Sequence, residues 1–218
     1  MIVVDPRLQP LHSTGNGGIP SRARISPSGR KAAWTSFATG DSYAAATEFS
    51  TRTGVIDTAT GEAWENIEDL ALTWDGRAYE AADVNYWGLS FAPDDDTFYA
   101  TVKTKGSVHL VRGSVSGRSA TVIADDVECP SLSPDGTRIV YKRPSPDLDP
   151  AWRLHVLDLA TMTDVALAET AGIDDQAVWL GDGTIAYGRD GNVWTVPADG
   201  GGAPSLLLRD AASPSLVP

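Results

Sequence analysis

Short runs that alternate apolar and polar residues recur along this chain, each bounded by Pro, Asp or Gly. The clearest is TRIVYK (137–142), preceded by Pro134-Asp135-Gly136 and by the extended stretch CPSLS (129–133). Proline presets one turn dihedral and glycine accepts the positive one, so the segment predicts a β-hairpin. The hairpin is not unique. RARISPSGRKAAW (22–34), GLSFAPDDDTFYA (88–100) and QAVWLGDGTIAY (176–187) repeat its strand, turn, strand and terminal aromatic. A unit recurring at such intervals marks a repeat protein.

The third copy shows what one repeat contains. After its hairpin and the loop RPSPDLDPAW, RLHVLDL (153–159) predicts a third strand, ATMTD a turn and VALAE (165–169) a fourth strand. Four antiparallel strands in about 45 residues make one blade of a β-propeller. The third strand and its turn recur as TGVIDTATGE (53–62), VHLVRGSVSGR (108–118) and NVWTVPADGGG (192–202), with a further copy, IVVDPRLQP (2–10), at the start. SPSLVP (213–218) matches the first strand of a blade. The expected fold is therefore all-β: a single β-propeller domain over 1–218, with blades near 21–63, 86–124, 128–169 and 175–209 and terminal strands within 1–14 and 213–218. Two accounts of the staggered ends stay open. Strands from both termini would share a fifth blade and so remove loose sheet edges, or an upstream half-blade is missing.

Composition narrows the partners. Seventeen Lys and Arg against 29 Asp and Glu give a net charge of −12, which repels nucleic acid and anionic lipid surfaces. No apolar run reaches the roughly 18 residues of a membrane span, and MIVVDPRLQP lacks the pattern of a secretion signal. The one cysteine, Cys129, has no partner for an internal disulfide.

LSPDGTRIVY followed by WRLHVLDLATM, and WLGDGTIAYGRDGNVWTVPADGG, resemble the repeats of TolB-like β-propellers, a WD-repeat-like family. DVNYWGLSF, VECPSLSPDGTRI, AWRLHVLDL and DDQAVWL are similar to an actinobacterial group within it. Members of that group usually carry an N-terminal signal or anchor, and its absence here speaks for truncation. The resemblance implies a protein-binding propeller, secreted or membrane-anchored at the cell envelope, and supplies no catalytic residues. A monomer is expected. No cofactor is expected.

Candidate chemistry follows from where the repeat varies. His109 and His155 share a repeat position with Trp194, which marks all three as scaffold; His12 stands apart. No zinc-ligand spacing and no Gly-x-Ser-x-Gly elbow occur, since GSVSG (113–117) has Val115 where the serine belongs. Asp94-Asp95-Asp96 fills a hairpin turn, where solvation of the turn outweighs calcium binding in the absence of ordered ligand spacing. Trp34 and Trp179 are expected in the core. The links from a fourth strand to the next first strand differ between copies and surround the channel mouth in propellers. They nominate Asn85, Tyr86, Trp87, Asp126, Glu128, Asp174 and Asp175 as rim residues for a protein or peptide partner. Trp87 serves either as a contact or as a plug of the channel. The insert ENIEDLALTWDGRAYEAADV (65–84), with Trp74 and Tyr79, and the loop FATGDSYAAATEFSTRT (37–53) are the other places for blade-specific function. The competing expectation is a glycosidase whose acid and base come from Asp83, Glu128, Asp174 and Asp175, about 5 to 9.5 Å apart.

Overall fold

The computed structural model describes residues 2–4, 9–13, 18–39 and 49–216. Strands fall where the alternation predicts them. The first blade is β3 (Ile19–Ile25), β4 (Lys31–Thr39), β5 (Phe49–Asp57) and β6 (Ala63–Trp64), preceded by a two-stranded ribbon of β1 (Ile2–Val4) and β2 (Pro10–Ser13). A 3-10 turn at Ile67–Asp69 leads to β7 (Ala71–Trp74) and β8 (Arg77–Tyr79). The second blade is β9 (Asn85–Phe91), β10 (Thr97–Thr104), β11 (Ser107–Ser114) and β12 (Ser119–Asp125). The third is β13 (Glu128–Leu132), β14 (Arg138–Pro144), β15 (Trp152–Asp158) and β16 (Asp164–Ala166). The fourth is β17 (Val178–Trp179), β18 (Thr184–Arg189), β19 (Asn192–Pro197) and β20 (Ser205–Leu208). Neighbours within each blade pair antiparallel in chain order, as in the blades of a β-propeller.

The chain divides into two compact units, the first ending at Asp125 and the second beginning at Asp126. Each has its own core. In the first, Leu72, Tyr86, Leu89, Phe91, Phe98 and Val111 cluster; in the second, Val140, Leu154, Ile173, Trp179, Ile185 and Tyr187 do so. Trp34 and Trp179 are buried, in keeping with their place at blade strands. Trp34 lies across from Gly54 in the β4–β5 register, and a Cβ at Gly54 would come within 2.4 Å of its ring. Only a glycine lets the indole lie flat there.

The repeat extends to hydrogen bonds. In the first and third blades the hairpin turn is closed by Ser26 and Ser133, whose amides donate to Lys31 O and Arg138 O at 2.8 Å. Their buried hydroxyls accept from the amides of the same two residues, at 3.1 and 2.9 Å. The positive-φ position is held by Gly29 (77°) and Gly136 (72°), and in the acidic turn by Asp95 (59°). Asp94 accepts from the Asp96 and Thr97 amides, and Asp96 from Ser114 and the Ser116 amide. Asp94 thus closes its own turn, while Asp96 ties it to the β11–β12 turn. Among the described residues no group of three or more His, Cys, Asp and Glu is arranged to hold a metal ion.

Three elements depart from expectation. Residues 213–216 form no strand; Ser213 is instead tied by backbone and side chain to Asp175. Much of the expected 37–53 loop is strand, because β4 and β5 stay paired from Lys31↔Asp57 out to Thr39↔Phe49; residues 40–48 lie outside the described set. The 65–84 insert is not a plain loop. Its β7–β8 hairpin adds to the second blade, β7 running parallel to β12, and makes a six-stranded sheet. No helix of the described residues is long and apolar enough to cross a membrane.

Candidate functional site

In the first unit the predicted link residues begin β9. The side-chain oxygen of Asn85 accepts the Thr51 amide at 3.0 Å, and the Thr51 and Thr53 hydroxyls donate to Tyr86 O at 3.0 and 2.5 Å. These bonds fasten the second blade to β5 of the first. Tyr86, expected at the rim, is 1% exposed and belongs to the core. A break in the alternation explains the correction: Gly88 takes a positive φ (65°) where the β9–β10 register shifts, so the strand changes phase and Tyr86 joins the same core as Leu89 and Phe91. Burial, with the charge of Glu68 adding, pushes its phenol well above the ordinary range. Trp87, opposite Thr101 on β10, is half-buried. Asp83 accepts from the Thr104 hydroxyl at 2.7 Å and the Lys105 amide at 2.6 Å, and these two bonds lower its pKa.

In the second unit, two of the predicted carboxylates converge on a residue that pattern reading passes over. Lys142 ends the TRIVYK strand and is 3% exposed. Its Nζ lies 3.2 Å from Glu128 Oε1, 2.9 Å from Asp174 Oδ1 and 3.1 Å from Asp174 O, and 5.1 Å from the Trp152 ring centroid. Burial alone works against its charge. The negative charges of Cys129, when ionised, of Glu128 and of Asp174, with the Asp174 hydrogen bond, outweigh that and hold its pKa above the ordinary value. A buried ammonium survives only when paired in this way. The signal was parity: Lys142 shares a strand face with Val140, a core position, and a lysine there requires a carboxylate across the sheet. Glu128 is its register partner on β13.

The other predicted residues do different work. Asp175 accepts from the Gly188 amide at 2.9 Å and from the Gln176 amide, the Ser213 amide and the Ser213 hydroxyl at 3.0 Å each. It anchors the segment that follows β20. Asp126 is exposed, in left-handed backbone (φ 59°), and adds to the negative field on Arg143. A second buried acid escaped the sequence reading: Glu169 accepts from the Ala171 amide at 2.8 Å and Tyr187 Oη at 2.5 Å, and pairs with Arg189. The Arg189 guanidinium stacks 3.9 Å from the Trp194 centroid. His109 and His155 each bond an aspartate on the adjacent strand, Asp125 at 2.7 Å and Asp164 at 2.5 Å. Burial lowers the His155 pKa against the pull of Asp164.

Most of the predicted carboxylates are already engaged within the fold. Glu128 and Asp174 share one ammonium, while Asp83 and Asp175 are occupied by backbone amides and hydroxyls. What faces outward is the free side of Asp174, the exposed Asp126 and the half-buried Trp152.

No protein-family model and no curated protein matches this chain. Solved structures do. The chain is similar to TolB from Acinetobacter baumannii (TM-score 0.60, 15% identity, 90% of this chain and 44% of that one). It is as similar to a puromycin-hydrolyzing peptidase of Mycobacterium tuberculosis (0.60, 16%, 97% and 32%). A putative TolB from Agrobacterium tumefaciens follows (0.59, 12%, 93% and 69%). The chain thus spans less than half the length of the first two. At these identities the likeness establishes the propeller fold and nothing finer.

Proposed function

We propose that this protein is a noncatalytic, TolB-like propeller scaffold in the cell envelope that binds a protein or peptide through the segments linking its blades. The observation that carries the reading is the engagement of the link carboxylates. A glycosidase needs one carboxyl poised as acid and another free as base or nucleophile. Here Glu128 and Asp174 neutralise Lys142, and Asp83 and Asp175 cap amides. Held side chains of this kind suit recognition, because little conformational entropy is lost when a partner docks on them. Trp87 and Trp152 supply half-buried aromatic area, and Asp126 and Asp174 supply charge. The likeness to TolB structures is consistent with this reading, and the envelope address rests on the repeat resemblance.

The test is affinity capture from envelope extracts with the full chain, run beside Trp87→Ala and Asp174→Ala. A partner retained by the parent chain and lost from either variant is the expected result. An unchanged set of captured proteins overturns the proposal, as does turnover of a chromogenic glycoside that disappears in Asp174→Asn.

A further inference from the structure

The insert before the second blade places two aromatic side chains that the link surface does not use. β7 ends on Trp74 and β8 on Tyr79, joined by Asp75-Gly76 with both φ positive (51° and 72°), a type I′ turn. The two rings lie 5.2 Å apart with their planes at 67°. One cation faces both: Lys105 Nζ is 5.0 Å from the Trp74 centroid and 4.9 Å from that of Tyr79.

Both walls are held from behind. Trp74 packs 4.5 Å from the His109 ring, which is buried and fixed through Nδ1 to Asp125. Tyr79 Oη bonds Thr104 Oγ1 at 2.9 Å, and Thr104 donates to Asp83. Pinned aromatic faces at an angle are what cation recognition requires, since each ring presents its negative π face to the same point. The occupant is held less firmly. Lys105 sits at the exposed tip of the β10–β11 turn, in left-handed backbone (φ 51°), and among the described residues its ammonium forms no ion pair at contact distance.

We propose that Trp74 and Tyr79 form a two-walled aromatic receptor for a cationic side chain of a peptide partner, and that Lys105 is the internal occupant which such a side chain displaces. The proposal rests on the peptide-binding reading above and names the partner's chemistry. Charge selects that chemistry. The chain carries −12 overall, and the hairpin and its supports bring Asp75, Glu80, Asp83 and the largely exposed Asp125 against Arg77 and the occupant Lys105 itself. An anionic segment is repelled here, and a neutral apolar one forgoes the attraction to the ring faces.

Self-occupancy lowers apparent affinity by the fraction of time the receptor is filled, so emptying it reveals the site. Lys105→Asn does this while preserving the turn, because Asn-Gly favours type I′ geometry. The probes are acetyl-Gly-Lys-Gly-amide and its uncharged norleucine counterpart, titrated into the full chain with the backbone amide signals of Asp75 and Gly76, present in every variant, followed by NMR. The lysine peptide is expected to shift the Gly76 amide signal about tenfold more tightly in Lys105→Asn than in the parent chain. The norleucine peptide should leave it unmoved, Trp74→Ala should abolish the response, and Trp74→Phe, which keeps a ring, should retain it. Equal affinity with and without Lys105, binding that survives Trp74→Ala, or equal binding of the norleucine peptide each overturns the receptor. If captured partners depend on Trp87 but not on Trp74, the receptor fails while the link-surface reading stands. If the probe binds and no partner is captured, the reverse holds.

Discussion

Lys142 shows how one side chain organises its surroundings. Its pair with Glu128 is shielded from water, whereas the Asp174 side chain is 69% exposed, so the two contacts differ in value although both are short. Removing one partner of a buried pair strands the other charge and costs about 3 kcal/mol, while an exposed pair is worth about 1 kcal/mol or less. Lys142→Ala should therefore lower the unfolding free energy by about 3 kcal/mol in urea titrations and Asp174→Ala by under about 1 kcal/mol. Comparable losses would refute this division. Because its folded pKa is raised, the contribution of Lys142 is complete below the ordinary lysine value and fades only as pH climbs through the elevated one. At this scale the sequence was half legible. Variable links between repeats marked Glu128 and Asp174 as candidates, but their common partner sits in a strand whose other residues read as ordinary core. A pairing across the sheet has no signature in local pattern, and Tyr86 was misplaced for the related reason that its strand face becomes visible only once register is known.

Among the elements, the turn from third to fourth strand tests how closely the repeats match. Asp57 in the first blade and Asp158 in the third make the same bonds: each carboxylate accepts two amides, from Ala59 and Thr60 or from Ala160 and Thr161. Each aspartate's carbonyl then accepts an amide at 2.9 Å, from Gly61 in one turn and Met162 in the other. Gly61 has φ 76° and Met162 has φ 56°, so the exposed methionine occupies a left-handed position that its counterpart fills with glycine. A Cβ there costs about 1–2 kcal/mol, offset by about 0.5–1 kcal/mol of extra chain entropy lost by glycine. Met162→Gly should thus raise the urea midpoint by an amount equivalent to about 0.5–1 kcal/mol, and Met162→Ala, which keeps the Cβ, should not. A lower midpoint for the glycine variant would mean that the turn is held by contacts of the methionine side chain. Blade strands were readable because proline, glycine and aspartate punctuate each copy alike. The β7–β8 hairpin was not, although Asp75-Gly76 is a hairpin signal, because the insert has no counterpart in the other repeats and so no alignment to reveal it.

For the molecule as a whole, the excess of acid sets two opposing trends with pH. Between neutrality and about pH 5, protonation reduces the −12 charge and with it the self-repulsion of the compact state. Below that range a second effect takes over. Asp57, Asp83, Asp96, Asp135 and Asp158 have lowered pKa values, owed first to bonds from Lys31, Thr104, Ser114, Ser133 and the Thr161 amide respectively. In Asp94 and Asp164 burial pushes the other way and is outweighed by bonds from Thr97 and from His155 and Arg143. Asp135 is brought down to about 2. A carboxylate whose folded pKa lies below its unfolded one stabilises the fold above the unfolded value and ceases to do so as pH falls through the folded value. Most of these groups hold turns in the first three blades, and Asp164 ties β16 to side chains of β14 and β15, so their protonation loosens several hairpins at once. Thermal unfolding followed across pH should show a midpoint that is flat or slightly rising down to about pH 5 and falls steeply between about pH 4 and pH 2. Asp135→Asn should blunt the fall. A midpoint that holds steady to pH 2 would show that these turn bonds persist equally in the unfolded chain, and the repeat's hydrogen bonds would then define its shape without stabilising it.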